Sequence, residues 1–100
     1  MSMIINTKTG EAVVKGRKYY LTRYEINLLN ELNKPGIRTY EELYKAMYGV
    51  EPIKNADGST LDSERRRIST MVCRVKKKTK VNIIARREFG YELFRGYELW

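Results

Sequence analysis

Two capping boxes, Thr22-Arg23-Tyr24-Glu25 and Thr39-Tyr40-Glu41-Glu42, lie seventeen residues apart and each marks where a helix begins. In such a box the threonine hydroxyl accepts from the third helical amide, and the glutamate reaches back to the threonine amide. Behind the first box Ile26, Leu28, Leu29 and Leu32 share one broad apolar face, predicting a helix of about three turns that runs to Asn33. Pro35-Gly36 stops it. Behind the second box Leu43, Ala46 and Met47 predict a short helix that ends near Gly49.

A third helix is expected from Leu61 or Ser63 to Lys78. Ile68, Met71, Val72 and Val75 follow the i, i+3, i+4, i+7 spacing of a helix with one buried face. At 100° per residue the opposite face presents Arg66, Thr70, Cys73, Arg74 and Lys77, with Arg67 and Lys78 on one flank. Between the second and third helices, residues 49–60 hold two glycines, a proline and an Asp-Gly step, the composition of a loop.

Strand signals flank the helices. Met3–Asn6, Ala12–Lys15 and Lys18–Leu21 are short β-branched or aromatic runs separated by Thr9-Gly10 and Gly16. At the other end Asn82–Arg86 and Tyr91–Phe94 alternate around Arg87-Glu88-Phe89-Gly90, predicting a hairpin. The phrase Gly-Tyr-Glu-Leu occurs twice, at 90–93 and 96–99. The expected class is α+β in one domain over residues 1–100: strands in 1–21, a three-helix core in 22–80, and a hairpin with a tail in 81–100.

The 100 residues carry a net charge of +8. Residues 1–60 account for +2 and residues 61–100 for +6. From Arg65 to Arg87 there are ten Lys or Arg side chains and no acid. Such a run points to a polyanionic partner. The chain has no histidine and one cysteine, Cys73. Ser–His–Asp and Cys–His nucleophile systems, His-ligated metals and multi-Cys zinc sites are thereby excluded. No enzyme activity, cofactor or metal is expected. A lone cysteine forms no internal disulfide, and the sequence shows neither a secretion signal nor an apolar run near the ~20 residues of a membrane span. The expected location is the cytoplasm, with no membrane partner.

Two short helices and a longer basic helix make a helix-turn-helix arrangement. An α-helix is roughly 10–12 Å across, and the major groove of DNA is ~12 Å wide. A hairpin bearing Arg86 and Arg87 is a wing able to reach a neighbouring minor groove. The chain resembles the C-terminal effector domain of OmpR/PhoB-type response regulators of two-component systems, a winged helix-turn-helix family. The resemblance runs in order from about residue 11 to 95. It is carried by Leu21-Thr22-x-x-Glu25-x-x-Leu28-Leu29-x-x-Leu32, Pro35-Gly36, Thr39-x-Glu41-Glu42-Leu43 and Met47-Tyr48-Gly49, then by Ile68-x-x-x-Val72-x-Arg74-Val75-Lys76-Lys77-Lys78, Ile84 and Gly90-Tyr91-x-Leu93.

The resemblance implies an N-terminal antiparallel sheet, a three-helix core and a C-terminal wing. It places Thr70 and Arg74 where the family's recognition helix meets base edges, and Arg87 at the wing arginine of the minor groove. Arg66, Arg67, Ser69, Lys76 and Tyr48 fall near phosphate-contacting positions; Tyr48 stands where the family usually has tryptophan. Lys77, Lys78 and Arg86 join the phosphate set from the basic helix and hairpin themselves. Lys76–Lys78 also suit the negative C-terminal end of a helix. The implied partner is double-stranded DNA, bound sequence-specifically to regulate transcription, with a free monomer that pairs on tandem half-sites. Loop 49–60 corresponds to a segment that in the family often faces RNA polymerase.

The sequence departs from the family in four respects. It contains no receiver domain, so it is a stand-alone protein or a piece of a longer regulator. Glu88-Phe89 occupies the wing tip in place of small residues. Met71 and Cys73 stand where the family is commonly polar or basic. Loop 49–60 has no obvious counterpart. Two other functions are weighed beside duplex DNA binding. One is a winged-helix module that binds RNA polymerase or another acidic protein. The other is single-strand or RNA binding, which needs aromatics exposed on a sheet face. Cys73 reads as a small helix residue rather than a redox sensor, and Leu99 and Trp100 as packing residues.

Overall fold

The computed structural model describes residues 3–94. The chain order is β1 (Met3–Asn6), β2 (Glu11–Val14), β3 (Arg17–Tyr20), α1 (Arg23–Leu32), β4 (Arg38–Thr39), α2 (Tyr40–Tyr48), α3 (Asp62–Thr79), β5 (Ile83–Arg86) and β6 (Gly90–Leu93). The expected class and order hold. The expected packing of Leu99 and Trp100 lies outside the described residues.

The first sheet is antiparallel in the order β1-β2-β3. Strands β2 and β3 lie one residue earlier than the sequence pattern suggests. The reason is their connection, a two-residue turn of Lys15 (φ 51°) and Gly16 (φ 79°). Both central residues of a type I′ turn need positive φ, so Lys15 leaves the strand. One face of this sheet turns Ala12 and Val14 inward, with Met3, Ile5 and Tyr19 packed against the core. The other leaves Ile4 and Tyr20 exposed.

Both capping boxes form in full, at Thr22/Glu25 and Thr39/Glu42. The predicted apolar faces are the buried ones. Ile26, Leu28, Leu29 and Leu32 of α1 meet Leu43 and Met47 of α2, and Ile68, Met71, Val72 and Val75 of α3. Helix α3 is 18 residues long, or about 27 Å.

The second sheet has the order β4-β6-β5. Strand β4 has no signal in the sequence. It is two residues long and overlaps the cap of α2, so it offers no periodicity, and only its pairing with β6 (Arg38↔Tyr91, Thr39↔Gly90) makes it a strand. The pairing brings the backbones so close that a Cβ added at Gly90 would lie 1.9 Å from the Arg38 carbonyl oxygen. Residues 49–60 are likewise more ordered than a plain loop. Lys54 bridges Thr60, Asn55 and Leu61 amides donate to Ser59 and Ile53 carbonyls, and the Asp57 carboxylate accepts from the Ser59 amide at 2.9 Å.

A polar contact ties the first helix to the last. The Glu25 carboxylate accepts from its Thr22 amide at 2.9 Å and from the Lys78 ammonium, fifty-three residues away, at 2.7 Å. Burial pushes this carboxyl's pKa up, but the Lys78 and Thr22 hydrogen bonds and the Lys78 charge outweigh it, leaving it below its ordinary 4.5. A carboxyl depressed on folding stabilises the fold fully above its unfolded value, and that contribution is lost as pH falls through the folded one. Urea melts should therefore show stability dropping as pH falls below 4.5, and Glu25→Gln should flatten that part of the profile. At neutral pH Glu25→Gln should cost about 1–3 kcal/mol, the range for a charged hydrogen-bonding group.

Candidate nucleic-acid interface

Helix α3 presents a continuous outward face of Arg66, Thr70, Cys73, Arg74 and Lys77, all exposed. It borders an open groove whose walls include Tyr24 of α1, Tyr48 of α2, and Arg66, Arg67, Thr70 and Arg74 of α3. Tyr48 sits between two other rings, 4.9 Å from Tyr24 and 4.6 Å from Tyr44 between centroids. These two tilted ring contacts hold the Tyr48 ring at the rim of the basic face. Tyr24 has no claim on this groove in the sequence, because only the packing of α1 beside α2 brings it there.

Among the described residues, Arg66, Arg74, Lys76, Lys77 and Arg87 form no ion pair or side-chain hydrogen bond within the chain. Four of these lie on α3, and Arg87 is exposed at the wing turn. The other expected contact residues have intramolecular partners. The Lys78 ammonium is held by Glu25. Arg86 donates twice to Glu92, at 2.8 and 2.5 Å, on the wing itself. Arg67 lies 3.8 Å from Glu64, and the Ser69 hydroxyl shares a 2.8 Å hydrogen bond with the Tyr91 hydroxyl. Of these pairings only Glu64–Arg67, three residues apart on one helix, has the spacing of a sequence signal; Lys78–Glu25 and Ser69–Tyr91 join distant parts of the chain, and Arg86–Glu92 crosses the hairpin.

Two polar links set the position of α3. At its start the buried Glu64 accepts from the Tyr44 hydroxyl, a bond that, ahead of burial, raises the tyrosine pKa above 10.0. The second carboxylate oxygen of Glu64 is buried without a partner among the described residues. At mid-helix Ser69 joins Tyr91, which in turn hydrogen-bonds Tyr40 and meets its ring edge-on at 5.9 Å. The wing strand, α2 and the basic helix are thereby linked through three hydroxyls. Arg65, part of the basic run, lies over the Tyr40 ring at 4.9 Å from its centroid and is half-buried. Among the described residues no cluster of three or more His, Cys, Asp or Glu could hold a metal, and no helix is long and apolar enough to cross a membrane.

No protein-family model matches the sequence, and no curated protein is significantly similar to it. Solved structures do match. The DNA-binding domain of CpxR from E. coli is 20% identical with a TM-score of 0.65, covering 91% of this chain and 88% of that one. The C-terminal DNA-binding domain of RstA from Klebsiella pneumoniae is 23% identical with a TM-score of 0.66, covering 95% and 86%. The RitR C128D mutant is 18% identical with a TM-score of 0.68; the match covers 94% of this chain but 41% of the RitR chain. The chain has a winged helix-turn-helix fold.

In this fold β5–β6 form the wing, joined to α3 through the Ser69–Tyr91 hydrogen bond. Tyr91→Phe removes the hydroxyl shared by Ser69 and Tyr40. It should cost about 1 kcal/mol, read as a fall of about 4–8 °C in the thermal midpoint of a domain this size.

Proposed function

We propose that the chain is a sequence-specific double-stranded DNA-binding transcription regulator of the OmpR/PhoB type. Helix α3 enters the major groove and Arg87 of the wing enters the minor groove. The observation that carries this reading is the row of unpaired cations on the one face of α3 that packing leaves bare: Arg66, Arg74 and Lys77, with Thr70 between them. The solved structures that share the fold include two described as DNA-binding domains, which supports the same reading.

Thr70 and Arg74 contact base edges, since arginine bidentate to guanine is the commonest specific contact. Arg66, Lys76, Lys77 and the Tyr48 hydroxyl contact phosphates, with Arg67 and Ser69 at the edge of the same surface. Lys78 and Arg86 reach phosphate only by sharing or giving up Glu25 and Glu92. Their first role is to position the helix and the wing. The unit is one domain, a monomer in solution that pairs on tandem half-sites, acting in the cytoplasm without a cofactor.

Enrichment of bound duplexes from a random pool, followed by salt titration, tests this. One sequence class should emerge, with log K falling against log salt at about 0.9 per phosphate neutralised. Arg74→Ala should lose about 1–3 kcal/mol of discrimination at one base position. Lys77→Ala should weaken all duplexes alike and lower the salt slope by about 1. Lys78→Ala should instead lower thermal stability more than affinity. No enriched sequence, with Arg74→Ala and Lys77→Ala both binding as the parent does, would overturn the groove assignment.

A second reading, a protein-interaction module for RNA polymerase or another acidic partner, draws on the 49–60 segment. Its internal hydrogen bonds hold an ordered projection that leaves Val50 and Ile53 60% and 65% exposed. Ile53→Asp should leave DNA affinity unchanged while abolishing a crosslink to polymerase that survives nuclease. An unaltered crosslink would remove this reading.

A further inference from the structure

Tyr24 lies outside the core, yet its place is fixed. It is 45% exposed, in the first turn of α1, and its ring lies 4.9 Å from that of Tyr48 at the end of α2. The next residue, Glu25, is buried and accepts from Lys78 in the last turn of α3 at 2.7 Å. That ion pair ties the first turn of α1 to α3, and the two rings form one wall of the open groove, which has a volume of about 590 Å³. Arg66, Arg67 and Arg74 of α3 line it too, with the hydroxyls of Ser63 and Thr70, and among the described residues no Asp or Glu does. Three guanidiniums and four hydroxyls without a carboxylate suit an anion that offers many acceptor oxygens. The hydroxyls of Tyr40, Tyr44 and Tyr91 are engaged in bonds inside the chain, whereas among the described residues those of Tyr24 and Tyr48 are not.

We propose that Tyr24 is a further contact to the DNA backbone: the groove seats one sugar-phosphate strand, and the Tyr24 hydroxyl donates to a phosphate oxygen on it. This contact rests on the DNA-binding reading above and extends it from α2, α3 and the wing to α1. With α3 laid in a major groove, a flanking strand passes on the side where Arg67 and the two rings stand. The guanidiniums and Tyr24 then hold that strand from both sides of the groove. A tyrosine does so without adding charge, so the contact fixes where the strand lies but releases no counterion. The ring already rests against Tyr48 before any ligand arrives, so little side-chain freedom is lost on binding.

The test uses the full chain and a mixed-sequence duplex of about two helical turns, with salt titrations and thermal melts side by side. Tyr24→Phe keeps the ring and its contact with Tyr48, so it should melt as the parent does. It should bind about three- to tenfold more weakly, the loss of one hydrogen bond, with an unchanged salt slope. Tyr24→Lys sets a cation against the same strand and should steepen the slope by about 1. Tyr20, 69% exposed on the outer face of the first sheet, is the control: Tyr20→Phe should leave affinity unchanged and Tyr20→Lys the slope. Lys77→Ala reports separately on the DNA-binding reading. If the parent binds no duplex, that reading falls and the Tyr24 contact with it. If Lys77→Ala weakens binding while Tyr24→Phe binds as the parent does, the Tyr24 contact alone is overturned. It is overturned as well if Tyr24→Phe loses affinity and thermal stability together, or if Tyr24→Lys leaves the slope unchanged.

Discussion

The Glu25 carboxylate, in a residue only 2% exposed, is the constraint on which the arrangement of helices rests. A carboxylate so far from water is costly unless its lone pairs are filled. One partner is local, the Thr22 amide of its own capping box; the other is Lys78, in the last turn of α3. The box alone would start α1 anywhere in the molecule. The lysine makes the start of α1 meet the end of α3, so a local signal becomes a tertiary one. Arg38 does the same at the opposite end of α1, where its guanidinium joins Glu31 to Glu42 of α2 at 2.9 and 2.5 Å.

These contacts also divide the excess of positive charge into two populations. Lys78, Arg38 and Arg86 sit against carboxylates, and Arg65 lies on an aromatic ring. They hold elements together. Arg66, Arg74, Lys76, Lys77 and Arg87 are left facing water, four of them on one helix. The last turn of α3 tolerates Lys76 and Lys77 side by side because the helix dipole is negative there. Toward the start of the same helix Arg66 has no such compensation. It is exposed and forms no ion pair within the described residues, so its charge is left to face outward.

Much of this was legible in the sequence because the signals concerned are local. A capping box is four residues, an amphipathic stripe is eight, and Ile68, Met71, Val72 and Val75 told which side of α3 is buried before any packing was known. That same stripe named the exposed face by exclusion, which is why Arg66, Thr70 and Arg74 emerged together. What stayed hidden depends on pairing across the chain. Strand β4 exists only because β6 lies beside Arg38 and Thr39. Tyr24 borders the groove only because α1 and α2 cross. Composition shows that Lys78 is basic; it does not show that Glu25 holds it. The 49–60 segment reads as irregular because its glycines and Asp-Gly step are turn residues, yet in the structure those residues close a small hydrogen-bonded hairpin.

The wing illustrates how far the basic face depends on its supports. Its turn is three residues long, and its tip is anchored where the Phe89 carbonyl accepts from the Tyr40 amide at the start of α2. Its base is anchored where Tyr91 meets Ser69 on α3. With both ends tied, the wing is joined to α2 at its tip and to α3 at its base, so the fold itself sets where Arg87 stands relative to Arg74. Arg86 is drawn onto Glu92, across the hairpin, so Arg87 is the one cation the described turn offers outward without a partner. A partner that matches this face must therefore present its negative charge at two separated places with a fixed spacing. On the reading proposed above, the major groove of a duplex and an adjacent minor groove supply that spacing, whereas a flexible single strand gains nothing from it.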